Sequence, residues 1–600
     1  MKARSYLPLV ILLVSAVIGQ AAILEVPRDF VTISQALSSS SQGDTVIVRP
    51  GIYSERLILP AHDFLLASDF HFTQDSAALY GTVIDAGNFA DEDTASVLTF
   101  VYGNSSATIV SGFTLRGGHG VIVVNPNPPY DSCRFGGCIY IAESHPTILS
   151  NIISDNQSVI DAAIHAEYSH ARIAHNLIAG NSGDWGLVGL EYYSSLQDTA
   201  IVEWNEIAAN YGPHPEWPYL GGPILNVTSC GAAVRFNRFH DYSGNMTLGV
   251  YFHFAWGELV GNRFERLTFE HVPGGQDLGE IVVLYHSHGV AVRSNVFRDC
   301  VIDHPALTVL NAQLEAAFLI EGNWFENIQL VSYGEIGSGW GPAGVLVMAP
   351  HGIIRRNVFV GCVASGGAMA LSFYGQGDSA TAPGCQATIE ENQFLGNRLC
   401  SVDTFSFDPQ ASALTASGYG STLCAVQNNR FEGNHGVCVE LRHEPTPVEW
   451  DCRWNYWGDP TGPYHPTRNP EGRGDTVGDY ILFDPWLTWP PSEVPSSPVV
   501  LSPQEWKIDG AFPNPFNATT QIRLVSSLPR PFEVVVYNLL GRRVCRLWRG
   551  VVPKDSPVSI TWDGRDEAGQ AVATGLYFVV ATPQLSAISN PKACKILYLR

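Results

Sequence analysis

ILSNIISDN (148–156), IAHNLIAGN (173–181) and VEWNEIAAN (202–210) share one nine-residue pattern, apolar-x-x-Asn-x-(Ile/Phe)-x-x-Asn. IEENQFLGN (389–397) and VQNNRFEGN (426–434) carry it again. With the last Asn relaxed it also covers VRFNRFHDY, LVGNRFERL, VRSNVFRDC, IEGNWFENI, IRRNVFVGC and CRWNYWGDP. The central residues are Asn151, Asn176, Asn205, Asn237, Asn262, Asn295, Asn323, Asn357, Asn392, Asn429 and Asn455, spaced 25 to 37 residues apart. Each copy reads as two short strands with inward apolar residues at Asn−3 and Asn+2. The Asn is expected to turn the corner in a left-handed conformation and to bond to the matching Asn of the next copy. A unit this small cannot bury its own apolar face, so the copies must stack. One coil per repeat, with strands stacked in parallel, makes a β-helix, and the variable spacing becomes loops.

The stack assigns roles to charges that would otherwise look functional. Arg293, Glu321, Arg355 and Glu390 stand two residues before their asparagines. They face outward about 4.8 Å apart on successive coils, so alternating signs are expected to pair. Cys300 and Cys362 replace the second Asn of the repeat and read as small buried fillers.

Six hundred residues exceed a single compact core. The net charge of −23 is uneven: from Gln504 onward 12 Lys+Arg face 7 Asp+Glu, leaving −28 on the rest. Lysine is absent between Lys2 and Lys507, which argues against nucleic acid as a partner. Residues 1–22 read as a secretory signal peptide, with Lys2 and Arg4 ahead of an apolar run from Leu7 to Ile18. No other stretch is long enough for a membrane span. Export permits disulfides among the 12 cysteines, with Cys133–Cys138 and Cys545–Cys594 as plausible pairs. No spacing suggests zinc, and no metal is expected. DEDT (91–94) reads first as an exposed acidic turn and second as a weak Ca2+ loop.

ILEVPRDFVTISQALSSSSQGDTVIVRPGIYSERLIL (23–59) resembles the entry segment of right-handed parallel β-helix proteins of the pectin lyase-like superfamily. Within it, Thr32 to Ser41 reads as an amphipathic helix with Ile33, Ala36 and Leu37 on one face, capping the stack. GGCIYIAESHPTILSNIISDN (136–156) is similar to the repeat of secreted bacterial β-helix proteins, and WNYWGDPTGPYHP to DPWL (454–487) to their closing segment. AFPNPFNATTQIRLV, VVVYNLLGRRVCRLW, ITWDGRDEAGQAVATGLYFVV and KILYLR together resemble the type IX secretion sorting domain, a small immunoglobulin-like β-sandwich. TWDGRDEAGQAVATGLYFV also has the pattern of a hairpin. Ala518 stands where that family usually has a proline. The expected class is therefore all-β. A signal peptide (1–22) precedes a β-helix (23–488), a Pro/Ser-rich linker (489–503) and a sorting sandwich (504–600). The resemblance implies export through the type IX machinery to the exterior or outer surface of a Gram-negative-type bacterium.

The β-helix fold hosts lyases, hydrolases, epimerases and non-catalytic surface proteins, so function rests on particular residues. The chain has no Asp-Asp for polygalacturonase-like acid and base work, and its missing lysines exclude a lysine base within the helix. Gly118–His119–Gly120 lies in an early coil and reads as a turn, and the Arg-Gly-Asp at 473–475 as part of the closing segment. The densest polar and aromatic region gives binding candidates Trp185, Tyr192, Tyr193, Trp204, Trp217 and Trp256. Its candidate acids and bases are Glu191, Glu203, His214, Glu258 and His288. Aromatic faces stack on sugar rings, so this flank suits an extended polysaccharide or cell-surface glycan. The leading expectation is a non-catalytic glycan-binding, adhesive or structural protein. The alternative is a polysaccharide lyase or glycoside hydrolase acting on extended acidic chains.

Overall fold

The computed structural model describes residues 21–87, 94–124, 132–191, 199–210, 222–244, 248–271, 279–310, 317–331, 342–349, 351–364, 368–375, 386–399, 412–418, 425–442, 449–491, 506–526, 530–538, 543–553, 556–583 and 592–598. The expected signal peptide as far as Gln20, Asp91–Asp93 of the acidic turn and most of the expected linker lie outside them.

The described residues from 21 to 487 form a parallel β-helix with three walls. The first wall is a 14-stranded sheet from Ile23–Val26 to Ala425–Gln427. The second follows each Asn corner, through strands such as Ile152–Ser154, Leu177–Ala179 and Arg430–Glu432. The third is a 15-stranded sheet that includes Ile139–Ala142, Ile164–Glu167, Val188–Glu191 and Val282–Tyr285. Coil-to-coil pairing is parallel on every wall. The expected inward positions are buried: Ile148, Ile173, Val202, Val234 and Leu259 before the asparagines, and Ile153, Ile178 and Ile207 after them. From Phe239 onward the Asn+2 positions become a column of stacked rings. It runs through Phe264, Phe297, Phe325, Phe359, Phe394 and Phe431 to Trp457, with centroids 4.6 to 5.1 Å apart.

The asparagines do form a ladder, but they are not the corner residues. In all eleven copies the left-handed residue is the one before the Asn, from Ser150 and His175 to Asn428 and Trp454. That leaves the Asn side chain free to point inward. Asn176 Oδ1 accepts from the backbone N–H (2.9 Å) and Nδ2 (3.2 Å) of Asn151, while its own Nδ2 donates to Ile148 O and Asn205 Oδ1. The relay continues without a gap to Asn455. The buried amides of this ladder are thereby satisfied, which an apolar residue there could not achieve. A second ladder joins Asn156, Asn181 and Asn210, and resumes at Asn397 and Asn434. Between them Cys300 and Cys362 sit buried, as the filler reading required.

The ends are closed by different devices. The helix Ile33–Ser39, with Thr32 accepting from Gln35 N–H, buries Ile33, Ala36 and Leu37 in the same core as Val46 and Val48. At the other end Asp475, of the Arg-Gly-Asp triplet, accepts from Gly433 N–H, Asn434 N–H and Asn434 Nδ2, so it terminates the second ladder. Of the triplet read as a turn, Gly118 and His119 lie between strands and Gly120 begins the strand Gly120–Val124. A Cβ on Gly118 would stand 2.0 Å from Gly137 O, so the close backbone approach requires the glycine.

The residues from 506 onward form two antiparallel sheets around a core of their own, including Phe516, Leu524, Val534, Trp562, Val579 and Ile596. One sheet contains Trp506–Phe512, Thr520–Ser526 and Val558–Trp562; the other contains Arg543–Val552, Arg530–Asn538, Gly575–Pro583 and Lys592–Tyr598. The expected hairpin at 561–579 is not formed. Val558–Trp562 and Gly575–Pro583 belong to different sheets, and the Asp/Gly-rich turn lies within the connection between them. The two expected disulfides are also absent, because Cys133, Cys138, Cys545 and Cys594 are free thiols. Cys545 and Cys594 lie on the outer strands of the four-stranded sheet, about 14 Å apart at ordinary strand spacing and beyond bridging distance. Cys138 is in the core, whereas Cys133 lies on a flanking sheet. Among the described residues no helix is long and apolar enough to cross a membrane.

Candidate functional site

Strand alternation turns every second residue of the third wall outward, and parallel pairing lines these residues up in rows. One row reads Tyr140, His165, Gly189, Asn226, Tyr251. The other reads Glu167, Glu191, Thr228, His253, Tyr285. Their inward neighbours Ile141, Ala166, Leu190, Val227, Phe252 and Leu284 are core. From the Tyr140 strand to the Tyr285 strand the track spans five steps, about 24 Å.

The first half of the track is acidic. Asp161, in the turn before its strand, lies 2.7 Å from His165 Nδ1, and both are almost wholly buried. The Tyr140 ring stacks on His165 at 5.8 Å, and Phe135 packs against it at 4.8 Å. A Cβ on Gly189 would collide with Asp161 Oδ2, so the glycine makes room for this carboxylate. Tyr140 donates its hydroxyl to Glu167 Oε1, and Asn226 Nδ2 donates to Glu191 Oε1 at 3.1 Å. Burial, reinforced by Asp161 and Glu167 against the opposing His165, pushes Glu191 up to about 7. Burial alone would lower His165, but Asp161, Glu191 and Glu167 outweigh it and raise its proton affinity. Asp161 Oδ1 is buried without a hydrogen-bond partner.

The second half is aromatic. His253 lies against Tyr251, Phe254 and Tyr285 at 5.6, 4.5 and 5.3 Å, and Phe254 stacks on His286 at 5.3 Å. Phe254 and His286 occupy the left-handed corner after their strands, which turns their rings off the wall, and Phe254 is 49% exposed. Burial and the nearby His286 lower His253 from its ordinary value, so its ring is uncharged at neutral pH. Behind this half lies buried Glu280, which burial raises to about 7 despite the nearby His304.

The residues singled out from sequence are dispersed. Glu203 is held by Arg172 at 2.9 Å and Glu258 by Arg235, both on the first wall, where His288 also lies. Trp204 sits at an Asn corner, stacked on Phe236 at 4.5 Å, and Trp256 begins a first-wall strand. Trp185, on the flanking five-stranded sheet, gives its carbonyl to Asp161 N–H, so with Glu191 it borders the acidic cluster. Tyr192, Tyr193, His214 and Trp217 lie outside the described residues. Sequence reading passed over Tyr140, Asp161, His165, Glu167 and Asn226. Their outward position on the third wall was the available signal, but the register that joins them depends on loop lengths between coils.

No protein-family model matches the chain, and no curated protein matches it. Solved structures do. The chain is similar to a PL6 alginate lyase in complex with a trisaccharide, at 10% identity, covering 77% of this chain and 93% of that one with a TM-score of 0.41. It is similar to the A-module of a mannuronan C-5 epimerase from Azotobacter vinelandii, at 12% identity, with 76% and 94% covered and a TM-score of 0.27. It is also similar to latent PorU from Porphyromonas gingivalis, at 20% identity, over 15% of this chain and only 9% of that one, with a TM-score of 0.14. None of these likenesses assigns a role to a residue.

Proposed function

We propose that this is an exported β-helix protein that holds an extended glycan along the outer face of its third wall. The observation that carries the reading is the two-row track, where aromatic rings and hydrogen-bonding carboxylates alternate with core residues over successive coils. Ring faces suit pyranose stacking, and the carboxylates and Asn226 suit hydroxyl groups. The sandwich beyond residue 504 then serves as a type IX sorting domain, delivering the β-helix to the cell surface or beyond. Its support is the AFPNPFNATTQIRLV-type sequence pattern together with a two-sheet core.

A second reading, polysaccharide cleavage, is favoured by one specific observation. Glu191 is poised near neutrality beside a His165–Asp161 pair, the condition a general acid or base requires. Both readings are tested by passing the mature chain over a panel of immobilised polysaccharides and assaying the eluate for reducing ends and unsaturated uronates. Retention without product supports binding alone. Product release moves the assignment to the second reading, and failure to retain any glycan refutes both.

A further inference from the structure

We infer that the acidic half of the third-wall track takes a glycan carrying protonated amino groups, not a polyuronate; the inference rests on the glycan-binding reading above. Glu167 and Glu191 stand opposite each other on neighbouring coils, and the strongest charges acting on Glu191 are Asp161, His165 and Glu167, with no Arg or Lys among them. The surrounding sequence is poor in permanent cations. Residues 117–234 contain eleven Asp and Glu, no Lys, and two arginines, Arg134 and Arg172. Arg172 is bound to Glu203 on the first wall.

A uronate laid on this track would set its carboxylates against those of the cluster, a like-charge contact that weakens binding and would hold Glu191 protonated. An ammonium group reverses every one of those interactions. It brings three N–H donors and no acceptor. The cluster offers the complement in the carboxylates of Glu191 and Glu167, opposite each other on neighbouring coils, with buried Asp161, whose Oδ1 has no hydrogen-bond partner, adding its charge. Farther along, the faces of Tyr251 and Tyr285 favour a cation above them as well as a sugar ring. A positive charge placed beside Glu191 also makes it release its proton, so binding near neutral pH is coupled to proton release.

The test is calorimetric titration of the full mature chain with three hexasaccharides: β-1,4-linked glucosamine, its N-acetylated form, and galacturonate. The glucosamine hexamer is expected to bind about tenfold or more tighter than the N-acetylated one, to weaken as salt is raised, and to release protons in buffers of differing ionisation enthalpy. Glu191→Gln is expected to abolish the proton release and most of the preference. The order of preference in the unaltered chain needs no variant to fold. Galacturonate binding as tightly as glucosamine, or no discrimination between amine and N-acetyl, would overturn the inference while leaving glycan binding intact. If none of the three hexamers binds and no polysaccharide of the panel is retained, the underlying reading fails with it.

Discussion

The first and third walls share one frame and one strand geometry, yet they treat outward carboxylates in opposite ways. On the first wall carboxylates meet arginines of neighbouring coils: Glu203 meets Arg172, Glu258 meets Arg235, and Glu321 lies between Arg355 at 2.8 Å and Arg293 at 3.8 Å. On the third wall Glu167, Glu191 and Asp161 meet a tyrosine, an amide, a histidine and one another. Salt-bridged rungs satisfy themselves. Uncompensated ones have lost stability in return for an ability to act on something else, which is how a site differs from a scaffold when both are built from the same residue types.

The largest expected effect removes what both walls share. Asn323→Ala would strip partners from the Asn295 amide and Val292 O at once, and should cost about 4 kcal/mol in denaturant unfolding. Next comes a buried carboxylate just ahead of the third-wall strand Val282–Tyr285. Glu280 has a folded-state value of about 7, above its ordinary 4.5, so the folded chain keeps a proton that the unfolded chain gives up. Stability therefore falls as pH rises through that window, and Glu280→Gln should gain on the order of 3 kcal/mol above pH 7 and nothing near pH 4. A thermal melt series against pH that shows no such divergence would break the contrast. Tyr285→Ala should weaken glycan binding about tenfold, while Trp204→Ala, on the Asn corner, should leave it unchanged. The smallest effect has the opposite sign to Glu280→Gln. Glu321→Gln should lose about 0.5 kcal/mol, and less in high salt, since its arginines are partly exposed.

The repeat made the frame legible because apolar spacing and Asn recur at fixed offsets within one coil. That local periodicity placed Ile148, Phe239 and the Arg293–Glu321–Arg355 rungs correctly. It misassigned the corner itself, since a side chain that bonds along the stack cannot be told by spacing from one that tolerates a left-handed backbone. The acidic half of the site was legible only at Glu191 and Trp185. Asp161 and His165 belong to one coil and Glu191 to the next, and nothing local shows which residue of the following coil will stand beside them. The tail misled for a related reason: alternation identifies strands such as Val558–Trp562 and Gly575–Pro583, but not which sheet each joins.

The closed ends have a consequence for solubility. A stack of parallel coils ends in backbone donors and acceptors that match those of any other copy, so an open end is a template for fibre growth. The helix Ile33–Ser39 occupies one end, and at the other Trp457 covers Phe431 while Asp475 captures the final asparagine of its ladder. These closures set the length of the rod. A chain cut after Arg442 would keep its walls and its track, and would be expected to assemble end to end into filaments.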